Sequence, residues 1–316
     1  MAPIPVLIDT DPGLDDALAL FLACASPELD ILGIVTVAGN IGLPGTTTNA
    51  LRVLALLERS DIPVIAGAAG PLGRAAFEAA DIHGSDGIGG VALPAPAREP
   101  LLADATEWMA ELLLRHPEQS LTILALGPLT NIAYLVQRSP GAAQRLAGII
   151  AMGGAVRDRG NVTPFAEFNI AADPEAAAVV LRSGVPLTLV PLDVTRQVAA
   201  DPGWGARLAA TGGKIATASA AMIEAYLANI ARRRAAMELP AQPPAFPLHD
   251  PCVMLYAIDP SLFRAERLPI RVITDGSERD GQTVIDADAG AMADVLTQAQ
   301  AGRALALAHA RLAAMK

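Results

Sequence analysis

The sequence predicts an α/β fold with a mostly parallel, doubly wound sheet and helices on both of its faces. Three observations carry that expectation. Short runs rich in Val, Ile and Leu recur along the chain, they are apolar throughout instead of alternating, and stretches of helical character separate them. A strand covered on both faces needs apolar side chains on both, which an unbroken run supplies. Strand and helix in alternation then favour parallel pairing through helical crossovers.

The first run, IPVLID (4–9), leads into Pro12 and Gly13, which force a turn. From Leu14 the spacing is helical, with Leu14, Leu18 and Leu22 on one face, so a helix is expected over 15–25. Strand ILGIVTV (31–37), a helix over 45–59 and strand IPVIAG (62–67) follow. Between 68 and 100 the chain turns to Gly, Pro and Ala around DIHGSDGIGG, which reads as an ordered loop near a site. A helix over 104–115, strand LTILAL (121–126), a helix over 129–138, strand GIIAMG (148–153), a helix over 173–183 and strand VPLTLVP (185–191) complete the alternation. Residues 201–248 read as helical and end in the Pro-rich LPAQPPAFPLHDP. An Ala-rich packing helix, holding His309, is expected over 289–315. With no internal repeat and no convincing linker, residues 1–316 are expected to form a single domain.

A chain of 316 residues can bury a sizeable core, and 52% hydrophobic with 18% charged residues excludes a disordered chain. The net charge of −10, with no Lys/Arg-rich run, disfavours nucleic-acid binding. MAPIPVLIDT has no basic segment followed by an apolar one, so no secretory signal is expected. No apolar stretch reaches the ~18 residues of a membrane span. Cys24 and Cys252 have no metal-ligand spacing, and Cys24 reads as a small buried residue. A soluble, reducing, cytoplasmic setting follows as an expectation.

The stretch LIDTDPGLDDALAL places Asp9, Asp11, Asp15 and Asp16 within eight residues at the tip of a buried strand. Two like charges at about 4 Å and an effective dielectric near 20 cost about 4 kcal/mol. The helix N-terminus offsets only about 0.3–1 kcal/mol for each anion. A hard divalent cation offsets more, and calcium takes about six to eight oxygen ligands, although spacing alone also permits magnesium. Adjacent helix positions diverge by about 100°, so Asp15 and Asp16 are expected to point differently. A single Asp here would read as a helix cap. Four in this spacing read as a site.

Other strand ends carry matching chemistry. TVAGN ends at Asn40, and LALGPLTN ends a strand at Leu126–Gly127, where a kinked backbone can present a free carbonyl. GNVTPFAEFN supplies Asn161, Glu167 and Asn169, two amides and a carboxylate suited to a polyhydroxylated ligand. PLHDPC offers His249 beside Asp250, after a helix bearing Tyr226, Arg232, Arg233 and Arg234. His83 stands in the DIHGSDG loop.

DTDPGLDDA, TVAGN, LGPLTNIA, MGG (152–154), GNVTPFAEFNI, DPEAA (173–177) and HDP (249–251), in this order, resemble the nucleoside hydrolase family of the inosine–uridine-preferring type. The resemblance spans most of the chain, and DTDPGLDDA is its most specific part. It implies calcium-dependent hydrolysis of the N-glycosidic bond of ribonucleosides to free base and ribose. Asp11 is then both a metal ligand and the general base for a calcium-held water. Asp16, Asp250 and the main-chain carbonyl of Leu126 are the other ligands; relatives often have Thr at that last place, and Leu leaves the carbonyl available. Asp15 takes the ribose 2′-hydroxyl, with Asn40 and Asn169 beside the sugar and Asn161 and Glu167 at its 5′ end. The chemistry agrees: cleavage builds oxocarbenium character on the ribose, and a cation acidifies and orients the water.

The family also places His249 near the base as a proton donor, with His83 on a loop approaching it. Tyr226 and the arginines 232–234 remain alternatives, because the stretch before LHDP is longer than in relatives. Purine against pyrimidine is left open. Relatives are commonly homodimers or homotetramers. Two other readings compete: a haloacid dehalogenase-like phosphatase, with Asp9 as nucleophile, Asp11 as acid/base and magnesium, and a calcium-dependent nucleoside- or ribose-binding protein without turnover. The first expects Thr or Val soon after the second Asp, where this chain has PGLDD. A purely structural calcium would need no set such as Asn161, Glu167 and Asn169.

Overall fold

In the computed structural model, which describes residues 2–238, 240 and 243–315, the apolar runs become strands of one sheet. Leu239, Ala241 and Gln242 of the Pro-rich stretch, and the two end residues Met1 and Lys316, lie outside the described residues. The strands are β1 (Ile4–Thr10), β2 (Leu29–Thr36), β3 (Val64–Ala66), β4 (Thr122–Ala125), β5 (Gly148–Met152) and β6 (Leu187–Val190). A short antiparallel ribbon pairs β7 (Ala199–Ala200) with β8 (Phe246–Pro247), and β9 (Phe263–Val272), β10 (Thr283–Ile285) and β11 (Met292–Ala299) follow. The main sheet has the order β10-β9-β11-β6-β5-β4-β1-β2-β3. From β11 to β3 neighbouring strands run parallel, while β9 and β10 form an antiparallel edge.

The helices connect and cover these strands. The first half holds α1 (Leu14–Cys24), α2 (Leu43–Leu56), the single turn α3 (Ala80–His83), α4 (Ala105–Arg115), α5 (Thr130–Arg138) and α6 (Pro140–Ala143). The second holds α7 (Phe168–Ala172), α8 (Pro174–Leu181), α9 (Leu192–Thr195), α10 (Pro202–Ala209), α11 (Lys214–Ala236), α12 (Pro251–Ile258) and α13 (Ala301–Ala314). They divide the core in two, one cluster holding the side chains of α1, α2 and α10–α13, the other those of α4–α6 and α8. The doubly wound arrangement matches the expectation. No helix among the described residues is long and apolar enough to cross a membrane.

The helix α1 is buried on every side from Leu14 to Ala23, so its Leu14–Leu18–Leu22 face is not its only apolar one. It packs against α2, α11, α12 and α13 as well as the sheet, and small Ala side chains let these neighbours approach. Its first turn is thereby held rigidly at the end of β1.

Two expectations need correction. The helix expected over 289–315 starts at Ala301, and Met292–Ala299 is the strand β11, antiparallel to β9 and parallel to β6. Its Ala content favours helix, but Ala293, Val295 and Leu296 are buried by pairing between two strands, and that tertiary gain overrides local propensity. The helical stretch over 201–248 is interrupted as well: Gly212, at φ +79°, separates α10 from α11, and the ribbon strand β8 ends it.

Candidate active site

The chain order reverses at β1, with β2 and β3 on one side of it and β4, β5 and β6 on the other. Loops leaving β1 and β4 therefore part, and a crevice opens at the carboxyl ends of the strands. A cavity of about 460 Å³ lies there. Asp15, Asn40 and Leu126 contribute to its wall from the ends of β1, β2 and β4, as do Asn161, Glu167 and Asn169 from the α7 region. His83, His249 and Asp250 complete the set anticipated from sequence. Asp11 and Asp16 are buried behind this wall, at 1% and 0% exposure.

Asp16 turns back over the start of α1. It accepts from Thr10 Oγ1 at 2.6 Å, from the Gly13 amide at 2.9 Å and from Asn40 Nδ2 at 3.0 Å. Gly13 is required for this closeness, since a Cβ there would lie 2.5 Å from His83 Nδ1 and 2.6 Å from Asn40 Nδ2. Asp15, its neighbour, faces the cavity. The two carboxylates diverge as expected, yet an oxygen of each, together with one of Asp250, lies within 4.8 Å of the others.

Burial raises the carboxyls of Asp11, Asp15 and Asp250, and repulsion from neighbouring acids adds to it. Burial, then the charge of Asp16, lifts Asp15 to about 8. Asp11 is held well above the usual range by burial, then by Asp16, although the Asn40 amide works against this. Asp250 is raised likewise by burial, then by Asp15, Asp16 and Asp11. Among the described residues none of these acids has a Lys or Arg partner; Arg233, on the cavity wall, pairs instead with Asp81 at 3.1 Å. The acids thus offer hard oxygen donors with no built-in counter-charge. That donor set fits a hard divalent cation. The Leu126 carbonyl accepts from Asn169 Nδ2 at 2.6 Å, which leaves its second lone pair available.

Glu167 caps α7, accepting from the amides of Gly154, Asn169 and Ile170. Burial still raises its carboxyl above the ordinary value. Asn161 Oδ1 accepts from the Phe168 amide at 2.9 Å, which leaves the Asn161 Nδ2 for a ligand. Both histidines are held neutral by burial, His83 at about 4 and His249 at about 3. The Leu14 amide donates to His83 Nδ1 at 3.1 Å, so the neutral ring carries its proton on Nε2.

Of Tyr226 and the three arginines of α11, Tyr226 and Arg233 line the cavity. Arg232 instead donates to Asn229, and Arg234 to the Pro240 carbonyl. Asn229 also donates to the Ile82 carbonyl at 2.7 Å, so α11 pins the turn that carries His83.

Residues 6–306 match the family described as inosine-uridine preferring nucleoside hydrolase. The chain belongs to the nucleoside hydrolase family. The pyrimidine-specific ribonucleoside hydrolase RihA of Citrobacter koseri is 42% identical over 283 residues, covering 90% of this chain and 88% of that protein. A plant nucleoside hydrolase superposes with a TM-score of 0.90 at 34% identity, with 99% of each chain covered. A purine-preferring ribonucleoside hydrolase from Gardnerella vaginalis gives a TM-score of 0.90 at 28% identity, with 98% of each covered.

The family match sets the phosphatase alternative aside. Asp9, which that reading makes the nucleophile, accepts from Asn131 Nδ2 at 2.8 Å. Burial pushes its carboxyl up to about 7, with the Asn131 hydrogen bond opposing. Several residues of this hydrolase site had no sequence signal. Phe77 and Phe168 meet edge to face at 5.5 Å on the cavity wall, yet Phe77 lies in a Gly/Pro/Ala loop. Thr195, which contacts His249, ends a four-residue helix that no periodicity marks.

Proposed function

We propose that this nucleoside hydrolase cleaves the N-glycosidic bond of ribonucleosides with water, in a calcium-dependent reaction that releases free base and ribose. The observation that carries the reading is the convergence of Asp15, Asp16 and Asp250 within 4.8 Å at the edge of a cavity that also holds Asn40, Asn161, Glu167 and Asn169. A volume of about 460 Å³ suits a small ligand of nucleoside size.

In this reading Asp16 and Asp250 of that group, with Asp11 and the Leu126 carbonyl, would hold the cation, while Asp15 is left to the substrate. Calcium bound there would offset the clustered charge and acidify a neighbouring water. Asp11 takes the proton of the attacking water. Asp15 accepts from the 2′-hydroxyl, Asn40 and Asn169 flank the ribose, and Asn161 and Glu167 hold its 5′-hydroxymethyl end. The carboxylates around C1′ favour the oxocarbenium character of the breaking sugar. His249 attends the departing base, with His83 offering a second donor from Nε2. The base is a pyrimidine, a purine or both, and relative rates decide which. By family likeness the working form is a cytoplasmic homodimer or homotetramer, which light scattering on the purified protein checks.

The test is ribose release from inosine, uridine, cytidine and adenosine, in calcium and then in chelator, with Asp11→Asn as control. Chelator-sensitive release that disappears in Asp11→Asn is the expected result. Nucleoside binding without ribose release would favour the non-catalytic binding protein instead.

A further inference from the structure

Thr195 and His249 are far apart in the chain and meet because of the β7–β8 ribbon. Ala199 pairs with Pro247 and Ala200 with Phe246, and the Leu248 amide donates to the Val198 carbonyl at 2.8 Å. Continuing that register brings His249 beside the end of α9. There the Thr195 hydroxyl, on a residue with 0% exposure, lies 2.7 Å from His249 Nδ1.

Among the described residues His249 is the one hydrogen-bond partner of that hydroxyl. A hydroxyl has one proton to donate and two pairs to accept with. Buried with a single partner, it donates, since accepting would strand its proton. Nδ1 is then the acceptor, and the ring proton sits on Nε2, the nitrogen that Thr195 leaves free on a residue of the cavity wall.

We propose that Thr195 is a positioning residue for departure of the base: its hydroxyl fixes the orientation and the Nε2–H tautomer of His249, so that Nε2–H is presented to the leaving base. This rests on the reading of His249 as the residue at the base. In the step, the C1′–N bond breaks with its electron pair passing to the base, and water forms the new C1′–O bond. Water gives one proton to Asp11 and the departing base takes one from solvent, so charge balances. Meanwhile the Nε2–H hydrogen bond stabilises the negative charge growing on the base. Without Thr195 the ring is free to rotate or to take the other tautomer, which presents a lone pair to that charge.

The experiment compares Thr195→Val, Thr195→Ser and His249→Ala in the full chain with calcium. Substrates are the best natural ribonucleoside and 4-nitrophenyl β-D-ribofuranoside, whose nitrophenolate leaves without a hydrogen-bond donor. Thr195→Val is expected to lower kcat on the nucleoside by about ten- to a hundredfold. Its KM, and its rate on the nitrophenyl riboside, should stay within about twofold, because uniform binding is untouched. Thr195→Ser keeps the hydroxyl and restores nucleoside turnover. An equal loss on both substrates, no loss at all, or no rescue by Ser overturns the proposal. His249→Ala separates the two layers. If it shows the leaving-group-dependent loss and Thr195→Val does not, the positioning role alone is wrong. If it shows none, the assignment of His249 falls and the proposal falls with it. A wild-type chain that cleaves neither substrate overturns both together with the hydrolase reading.

Discussion

Asn40 grips Asp11 twice: its amide donates to Asp11 Oδ2 at 2.7 Å, and its side-chain Nδ2 to the Asp11 carbonyl at 3.0 Å. The same Nδ2 lies 3.0 Å from Asp16 Oδ2. One residue at the end of β2 thus ties together two acids of the turn after β1. Removing the side chain by Asn40→Ala leaves a buried carbonyl and a buried carboxylate each short of a donor, at a cost of about 1–3 kcal/mol. Urea unfolding at neutral pH should register that loss, and a change below a few tenths of a kcal/mol would show that Asn40 serves the ligand alone.

Metal removal should be visible in stability without any turnover. A cation that binds only the folded chain adds about 2.7 kcal/mol at a hundred times its dissociation constant. Calcium should therefore raise Tm by several degrees and chelator should reverse it. Asp16→Asn, which removes one charge of the Asp15–Asp16–Asp250 group, should erase most of the calcium-dependent part. A Tm indifferent to calcium and chelator in the wild-type chain would count against the cation site.

The two thiols report on unfolding. Cys252 is buried and Cys24 partly so, and neither is in a disulfide. Burial pushes the Cys24 thiol up from 9.0 to about 12, and the Cys252 thiol is raised by burial as well. The thiolate is the reactive form, so at pH 8 alkylation of the native chain should be far slower than that of the unfolded chain. The sign for stability follows. Between pH 9 and about 12 the unfolded chain releases protons that the folded chain keeps, so stability falls as pH rises through that window. Rapid labelling of both thiols in native protein would contradict the burial.

The fold and most of the cavity wall were legible because their signals are local. The parallel strands announce themselves as unbroken apolar runs, and the turn at Pro12–Gly13 fixes where the acids after β1 must sit. Asn40 and Leu126 stand just past the ends of β2 and β4, where a parallel sheet places its site. The antiparallel edge was not legible. Met292–Ala299 has the composition of a helix, and only pairing with β6 and β9 makes it a strand. Arg233 could not be separated from Arg232 and Arg234 by sequence, because which of three consecutive residues faces the cavity depends on the rotation of α11.

The sequence by itself determined the alternation of strand and helix, the placing of four acids at the end of one buried strand and the likeness to a family. Each of these is written in neighbouring residues, where periodicity and turn chemistry act. The family likeness already grouped Asp250 with Asp16; tertiary structure alone decided how closely it approaches Asp15 and Asp16, that Asp9 is turned toward Asn131, and that Thr195 lies against His249. Those relations join side chains distant in the chain. They are set by strand order and by the register of a two-residue ribbon, which local pattern does not encode.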